Sequence, residues 1–255
     1  MATKLDYKIH GDDMQAVEIF LDEAEKIRSE VGTMLYMDPE IDMQTNAEGG
    51  FVKSIKRAFT GESFFITSYI NSSAKKKSIA FAAPYPGKII PIDLEDTGKT
   101  LFCQRDSYLC SEAEIDVDIA FTKRLGAGFF GGEGFILQKL SGNGLVFVHA
   151  GGTVIQHELK EGESLDVDTG CLVAFTEDVD YDIRAVKGVM NALFGGEGIF
   201  LAHLEGPGTV YLQSLPFSRI ADRIMAVSGR RHSSGGGSDE VTRAAGKVIG
   251  RIING

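Results

Sequence analysis

The stretch Phe129-Phe130-Gly131-Gly132-Glu133-Gly134-Phe135-Ile136-Leu137 recurs 64 positions later as Leu193-Phe194-Gly195-Gly196-Glu197-Gly198-Ile199-Phe200-Leu201. A degenerate form stands 71 positions before the first, as Ala58-Phe59-Thr60-Gly61-Glu62-Ser63-Phe64-Phe65-Ile66. One unit is therefore written three times, at a period near 65 to 70 residues. No other feature constrains the fold as strongly, because each copy must form the same supersecondary unit and the copies must bury one another's apolar faces.

The flanks of the motif say what that unit is. In the second copy, Phe135 to Leu140 leads through Ser141-Gly142-Asn143-Gly144 into Leu145 to His149. In the third, Ile199 to Leu204 leads through Glu205-Gly206-Pro207-Gly208 into Thr209 to Leu215. In the first, Phe64 to Asn71 leads through Ser72 to Lys77 into Ser78 to Ala83. Two apolar runs around a Gly-rich turn predict a β-hairpin in each copy. Upstream, Glu30-Val31-Gly32-Thr33-Met34-Leu35, Asp106-Ser107-Tyr108-Leu109-Cys110 and Asp168-Thr169-Gly170-Cys171-Leu172-Val173 correspond, each following a short segment that ends in charge and preceding a strand-like one. Ile115-Asp116-Val117-Asp118-Ile119 and Val179-Asp180-Tyr181-Asp182-Ile183 alternate strictly, which predicts strands with one wet face. The predicted class is all-β: three tandem β-sandwich or short double-stranded β-helix repeats, with short α-helices at the C-terminus.

The segments that lead into the motifs differ from the strands. Phe51-Val52-Lys53-Ser54-Ile55-Lys56-Arg57-Ala58-Phe59 has apolar residues at helical spacing, with basic residues between them. Residues 123–130 and 187–194 likewise begin basic and end apolar. Phe51, Ile55, Phe59, Phe129, Phe130, Leu193 and Phe194 are thus candidate docking residues. Beyond Pro216, Ser218 is placed to N-cap a helix carrying Ile220, Ala221, Ile224, Met225 and Val227. Residues 229–238 are Gly- and Ser-rich, the composition of a flexible linker. The tail from Asp239 carries an apolar stripe through Val241, Ala244, Ala245, Val248, Ile249, Ile252 and Ile253, with Arg243, Lys247 and Arg251 opposite. The chain accordingly divides into repeat 1 (1–97), repeat 2 (98–160), repeat 3 (161–216), helix (217–228), linker (229–238) and amphipathic tail helix (239–255).

Charge narrows the partners. Net charge is −10, the wrong sign for a general nucleic-acid binder, since phosphate contacts supply most of that affinity. The tail runs the other way: from Arg219 onward there are seven basic and three acidic residues, a net of +4, which leaves −14 on the remainder. The N-terminus lacks the apolar core of a signal peptide, and no apolar run approaches the roughly 18 residues of a membrane span. Cys103, Cys110 and Cys171 form no CxxC and are expected to be reduced core residues of a cytoplasmic protein.

No motif for chemistry keeps its meaning in context. Gly126-Ala127-Gly128-Phe129-Phe130-Gly131 fits G-x-G-x-x-G, but a strand follows it rather than a helix, so a repeat turn is the better reading. Gly61-Glu62, Gly132-Glu133 and Gly196-Glu197 are read as structural repeat turns, in which a carboxylate accepts backbone N–H groups. Three converging glutamates holding a cation is the alternative. His10, His149, His157, His203 and His232 form no H-x-H pair. His149 aligns with Gln213 and His203 with Lys139, so neither is a repeated ligand. No catalytic, cofactor-binding or metal-binding residue is assigned, and no cofactor is expected.

With its repeated F-G-G-E-G motifs and Val31-Gly32-Thr33-Met34-Leu35-Tyr36-Met37, the chain resembles the bacterial relatives of the "altered inheritance of mitochondria" protein, over about Tyr7 to Pro216. The resemblance implies a fold like the tryptophan RNA-binding attenuation protein, tandemly repeated, and assembly into ring-like oligomers. The mitochondrial relatives are tied to inner-membrane organisation. No catalytic residues are established for the family, so none carry over. The distant RNA-binding relative uses basic surface residues, which this acidic body does not supply. The expected function is a non-enzymatic homo-oligomeric scaffold or interaction protein, linked to membrane organisation or stress. It would be cytoplasmic, with its tail docking on protein or on an anionic membrane. The alternatives are a small-ligand module or enzyme with a site between lobes, and an RNA-binding ring.

Overall fold

A computed structural model describes residues 5–44, 66–123, 135–185, 200–221 and 223–224. The chain falls into two units, Met1–Ser218 and Arg219–Gly255. In the first, the described residues form nineteen strands in four antiparallel sheets. The first sheet has the order β1 (Asp6–His10), β2 (Ala16–Leu21), β7 (Lys77–Ala82), β4 (Met34–Met37). The second runs β5 (Ile41–Gln44), β6 (Ile66–Asn71), β3 (Lys26–Glu30), β10 (Tyr108–Glu112), β13 (Leu145–Gly151), β8 (Gly87–Asp93). The third runs β11 (Asp116–Lys123), β12 (Phe135–Ser141), β9 (Thr100–Gln104), β16 (Leu172–Thr176), β19 (Gly208–Gln213), β14 (Val154–Leu159). The fourth is β15 (Ser164–Asp168), β18 (Phe200–Glu205), β17 (Asp180–Ala185). Among the described residues, helix is confined to 3-10 turns and helical residues 217–221 and 223–224. The helical residues begin at Phe217, one residue before the Ser218 expected to cap them.

The sheets stack face to face with three cores between them. Val17, Ile19, Ile79 and Phe81 of the first sheet meet Ile27, Tyr69, Leu109 and Phe147 of the second. Tyr108, Val146 and Val148 of the second meet Leu101, Cys103, Val117, Leu140 and Val173 of the third. Phe135, Leu137, Phe175 and Val210 of the third meet Val167, Ile183, Ala202 and Leu204 of the fourth. Because strand side chains alternate, β13 feeds two cores at once: Leu145 and Phe147 point one way, Val146, Val148 and Ala150 the other. All seven residues of β13 are buried. Each buried large side chain stabilises the fold by about 1.5–3 kcal/mol, so the doubly covered strands hold much of the stability.

The alternating strands are as expected. Asp116, Asp118, Asp180 and Asp182 face solvent, and Val117 and Ile183 face a core. Pro91 sits in β8, which pairs with β13 alone, so its missing N–H costs no ladder bond. The predicted hairpins are not hairpins. β12 pairs with β11 and β9, whereas β13, just past the Gly142–Gly144 turn, pairs with β10 and β8. β6 and β7 likewise lie in different sheets, as do β18 and β19. The reason is two-sided burial: a strand apolar on both faces belongs inside a stack, and the turn carries the chain from one sheet to the next.

Candidate functional site

The repeat-turn residues Gly61, Glu62, Gly132, Glu133, Gly196 and Glu197 lie outside the described residues. So do Phe51, Ile55, Phe59, Phe129, Phe130, Leu193 and Phe194, and the tail residues Val241, Arg243, Lys247, Val248, Ile249, Arg251 and Ile252. What is described is the strand ends on either side of the three motif segments. These belong to β5 and β6, β11 and β12, and β17 and β18, each an antiparallel pair. Opposite them, Glu30 pairs with Ile66, Gln104 with Leu137 and Asp168 with Leu201. Glu30, Gln104 and Asp168 each close a strand just before a tight turn.

Polar groups concentrate at these turns. Thr33 Oγ1 donates to Glu30 O at 2.7 Å. Gly170 N donates to Asp168 Oδ1 at 2.9 Å, which caps the 3-10 turn Thr169–Cys171. The 3-10 turn Arg105–Ser107 stands at the corresponding place after β9. Glu30 Oε2, Gln104 Oε1, Ser107 Oγ, Gln138 Nε2 and Thr169 Oγ1 are buried with no hydrogen-bond partner among the described residues. Native structures rarely leave such atoms unpaired.

The second-to-third-sheet core holds the most polar part of this set. Glu30 lies on the face of β3 opposite Ile27. Burial pushes its carboxyl up to about 7, although the Arg105 guanidinium pulls it down. The charge of Glu30 in turn reaches Cys103 and Tyr108. Cys103 Sγ is 3.7 Å from Gln138 Oε1, and burial raises its thiol far above the ordinary value. Tyr108 Oη lies 3.0 Å from Ser111 Oγ and donates to Arg28 O at 3.5 Å; its phenol is raised by the same cause.

A second buried group lies on the other face of the second sheet. His149 is 1% exposed, and its Nδ1 has no partner among the described residues. Burial pushes the imidazole down to about 4. Tyr85 stands edge-on to it and donates its hydroxyl to Asp106 O at 3.1 Å. A Cβ on Gly87 would come within 2.6 Å of the imidazole ring, so a glycine is required there for close approach.

Chemically the set is quiet. The buried thiols Cys103 and Cys110 are held protonated, so they are poor nucleophiles. His149 is held neutral, and its Nδ1 has no hydrogen-bond partner among the described residues. Among the described residues, no three His, Cys, Asp or Glu side chains gather as metal ligands would. The turn at Glu30 is legible in the sequence, but the enclosure of its carboxylate is not. A charge before a Gly-rich turn reads as solvated, and nothing local marks it as enclosed. His149 carried one usable signal, its alignment with Gln213, which is also polar and buried.

These features define an all-β protein of face-stacked antiparallel sheets that enclose Cys103, Tyr108, Cys110 and His149. The sequence profile of the mitochondrial biogenesis AIM24 family matches residues 7–215, and the chain belongs to that family. An uncharacterised protein of Streptococcus pyogenes serotype M6 is 26% identical over 216 residues, covering 82% of this chain and 84% of that one. A crystal structure of a Streptococcus pyogenes protein superposes with a TM-score of 0.71 at 24% identity, covering 88% of this chain and all of the other. Among the described residues no helix is long and apolar enough to cross a membrane.

Proposed function

We propose that the protein is a non-enzymatic, self-associating scaffold made of three copies of one β lobe. Strand order supports the lobes: β2 to β7, β8 to β13 and β14 to β19 follow the same sequence of sheet partners, with β1 added at the start. The observation that carries the reading is a shared irregularity. The third strand's pairing to its own lobe's last strand slips between Met34 and Tyr36, between Tyr108 and Cys110, and between Leu172 and Ala174. Bulges at matching places are built features of a unit rather than accidents. Each lobe is then a short double-stranded β-helix of the kind found in the tryptophan RNA-binding attenuation protein.

The enclosed thiols and imidazole support a scaffold over an enzyme. The tail supplies a docking element whose basic face suits an anionic lipid surface or the acidic body of another copy. On this reading the protein works in the cytoplasm and reaches membranes through its tail. Light scattering at micromolar concentration tests self-association, and a monomeric mass sinks it. Sedimentation with anionic vesicles, with and without residues 239–255, tests the tail.

One observation favours a second reading, a small-ligand module. Glu30 Oε2, Gln138 Nε2 and Ser107 Oγ are buried and unpaired, as a polar ligand between lobes would need. Retention of a small molecule through purification, seen by native mass spectrometry, would support it over the scaffold.

A further inference from the structure

In β4, Met34, Leu35 and Tyr36 are 37%, 59% and 45% exposed. At the matching bulge of β10, Tyr108, Leu109 and Cys110 are 3%, 1% and 0% exposed. In β16, Leu172, Val173 and Ala174 are all 0% exposed. The positions are alike and their residues are similarly apolar, so the difference lies in what covers them. β10 is hydrogen-bonded on both sides, to β13 and β3, and β16 to β19 and β9. β4 pairs only with β7 among the described residues.

The complementary vacancy stands at the other end of the chain. β3 and β9 each pair on both sides. Their counterpart β15 pairs only with β18 among the described residues. Among the described residues β4 therefore lacks a partner of the β3 and β9 kind, and β15 lacks one of the β10 and β16 kind. Within one chain the two edges belong to the outer sheets of the stack, with both six-stranded sheets between them. At about 10 Å per face-packed layer, they stand on the order of 30 Å apart.

We propose that β4 of one copy pairs antiparallel with β15 of a second copy, joining a four-stranded and a three-stranded sheet into one. The internal joints fix the register. Cys110, Ser111 and Glu112 lie opposite Ser29, Arg28 and Ile27. Ala174, Phe175 and Thr176 lie opposite Cys103, Phe102 and Leu101. The same pattern sets Tyr36 opposite Val167, Met37 opposite Asp166 and Asp38 opposite Leu165. Backbone direction agrees: Asp38 N donates to Ser78 O of the chain's own sheet at 2.9 Å, so the neighbouring Met37 N–H points outward. An exposed edge bearing Met34, Leu35 and Tyr36 is a site of strand addition by default. The joint is head-to-tail, because its two halves are different surfaces. It rests on the self-association reading above and specifies its contact.

Complementation tests it. Met37→Pro blocks the β4 edge and Asp166→Pro the β15 edge, each by removing an outward N–H. Circular dichroism first establishes that both variants fold. Light scattering should then show multiples of 27.6 kDa for the wild type and 27.6 kDa for each variant alone. A 1:1 mixture should give twice 27.6 kDa, because each variant keeps the edge the other lacks. If proline prevents folding, mixing Met37→Cys with Asp166→Cys should give a reducible covalent dimer that neither gives alone. An oligomeric wild type whose blocked variants keep its mass, a mixture that stays monomeric, or cysteine variants that fail to cross-link overturns this joint and leaves self-association standing. A monomeric wild type overturns both.

Discussion

The ring of Tyr85 meets the ring of His149 edge-on, with centroids 4.6 Å apart and planes at 88°. Phe217 lies against the same tyrosine at 5.5 Å. The imidazole is thereby walled in by aromatic surface on the face of β13 that also carries Phe147, and this enclosure keeps it neutral.

His149 and Glu30 should give opposite and overlapping pH dependences. His149 falls from 6.5 to about 4 on folding, so below pH 6.5 the unfolded chain binds the extra proton. Its contribution is full above pH 6.5 and is lost as pH falls towards 4. Glu30 rises from 4.5 to about 7, so its contribution is full below pH 4.5 and is lost as pH rises through 7. Each effect is on the order of 2–3 kcal/mol, and in the wild type they offset. Urea unfolding between pH 4.5 and 7.5 should show His149→Phe losing stability as pH rises. Glu30→Gln should instead lose it as pH falls. Parallel profiles for the two variants would contradict the assignment.

Asn71 ties the end of β2 to the turn that follows β6. Its side-chain Nδ2 donates to Leu21 O, Asp22 O and Lys75 O at 2.9, 3.1 and 2.9 Å, and its Oδ1 accepts from Ser73 N at 2.9 Å. The residue is fully buried. Asn71→Ala would leave several enclosed carbonyls unpaired, at about 1–3 kcal/mol each where water cannot enter. A loss of at least ~2 kcal/mol in chemical denaturation is expected, and a neutral result would show that water replaces the amide.

Gln213 holds two chain segments far apart in sequence. It accepts from Gly151 N and donates to Gly170 O, both at 2.8 Å. Gln213→Leu preserves size but strands both backbone groups. It should cost roughly 2–4 kcal/mol, more than the exposed substitution Gln156→Leu, in the same assay.

Thiol labelling should separate the cysteines. Cys103 and Cys110 are buried and held protonated, and Cys171 is half-buried. A disulfide reagent applied to native protein should modify Cys171 first. It should reach the other two only at the rate of unfolding. Rapid native labelling of Cys103 would mean that the core between the second and third sheets opens locally, which would favour the small-ligand reading.

What the sequence determined was local. The twofold alternation at Asp116 to Phe121 and Asp180 to Ile183 sets strand and solvent face together, because side chains on an extended chain must point to opposite sides. The repeated F-G-G-E-G motif and the turns before β4, β10 and β16 recur at a similar spacing. The unbroken apolar run Leu145 to Val148 meant burial on both faces, but it read as half of a hairpin. Only the tertiary structure decided which strands share hydrogen bonds, since a backbone N–H carries no record of its partner and β13 could have bonded to β12 as readily as to β10. The same limit applies to Glu30, His149 and the β4 edge. Glu30 is unusual because two sheets close over it, His149 because Tyr85 and Gly87 close over it. The edge at Leu35 is exposed because β4 pairs with β7 on one side only among the described residues. Burial is set by the neighbours that folding brings together, and those neighbours are scores of residues away.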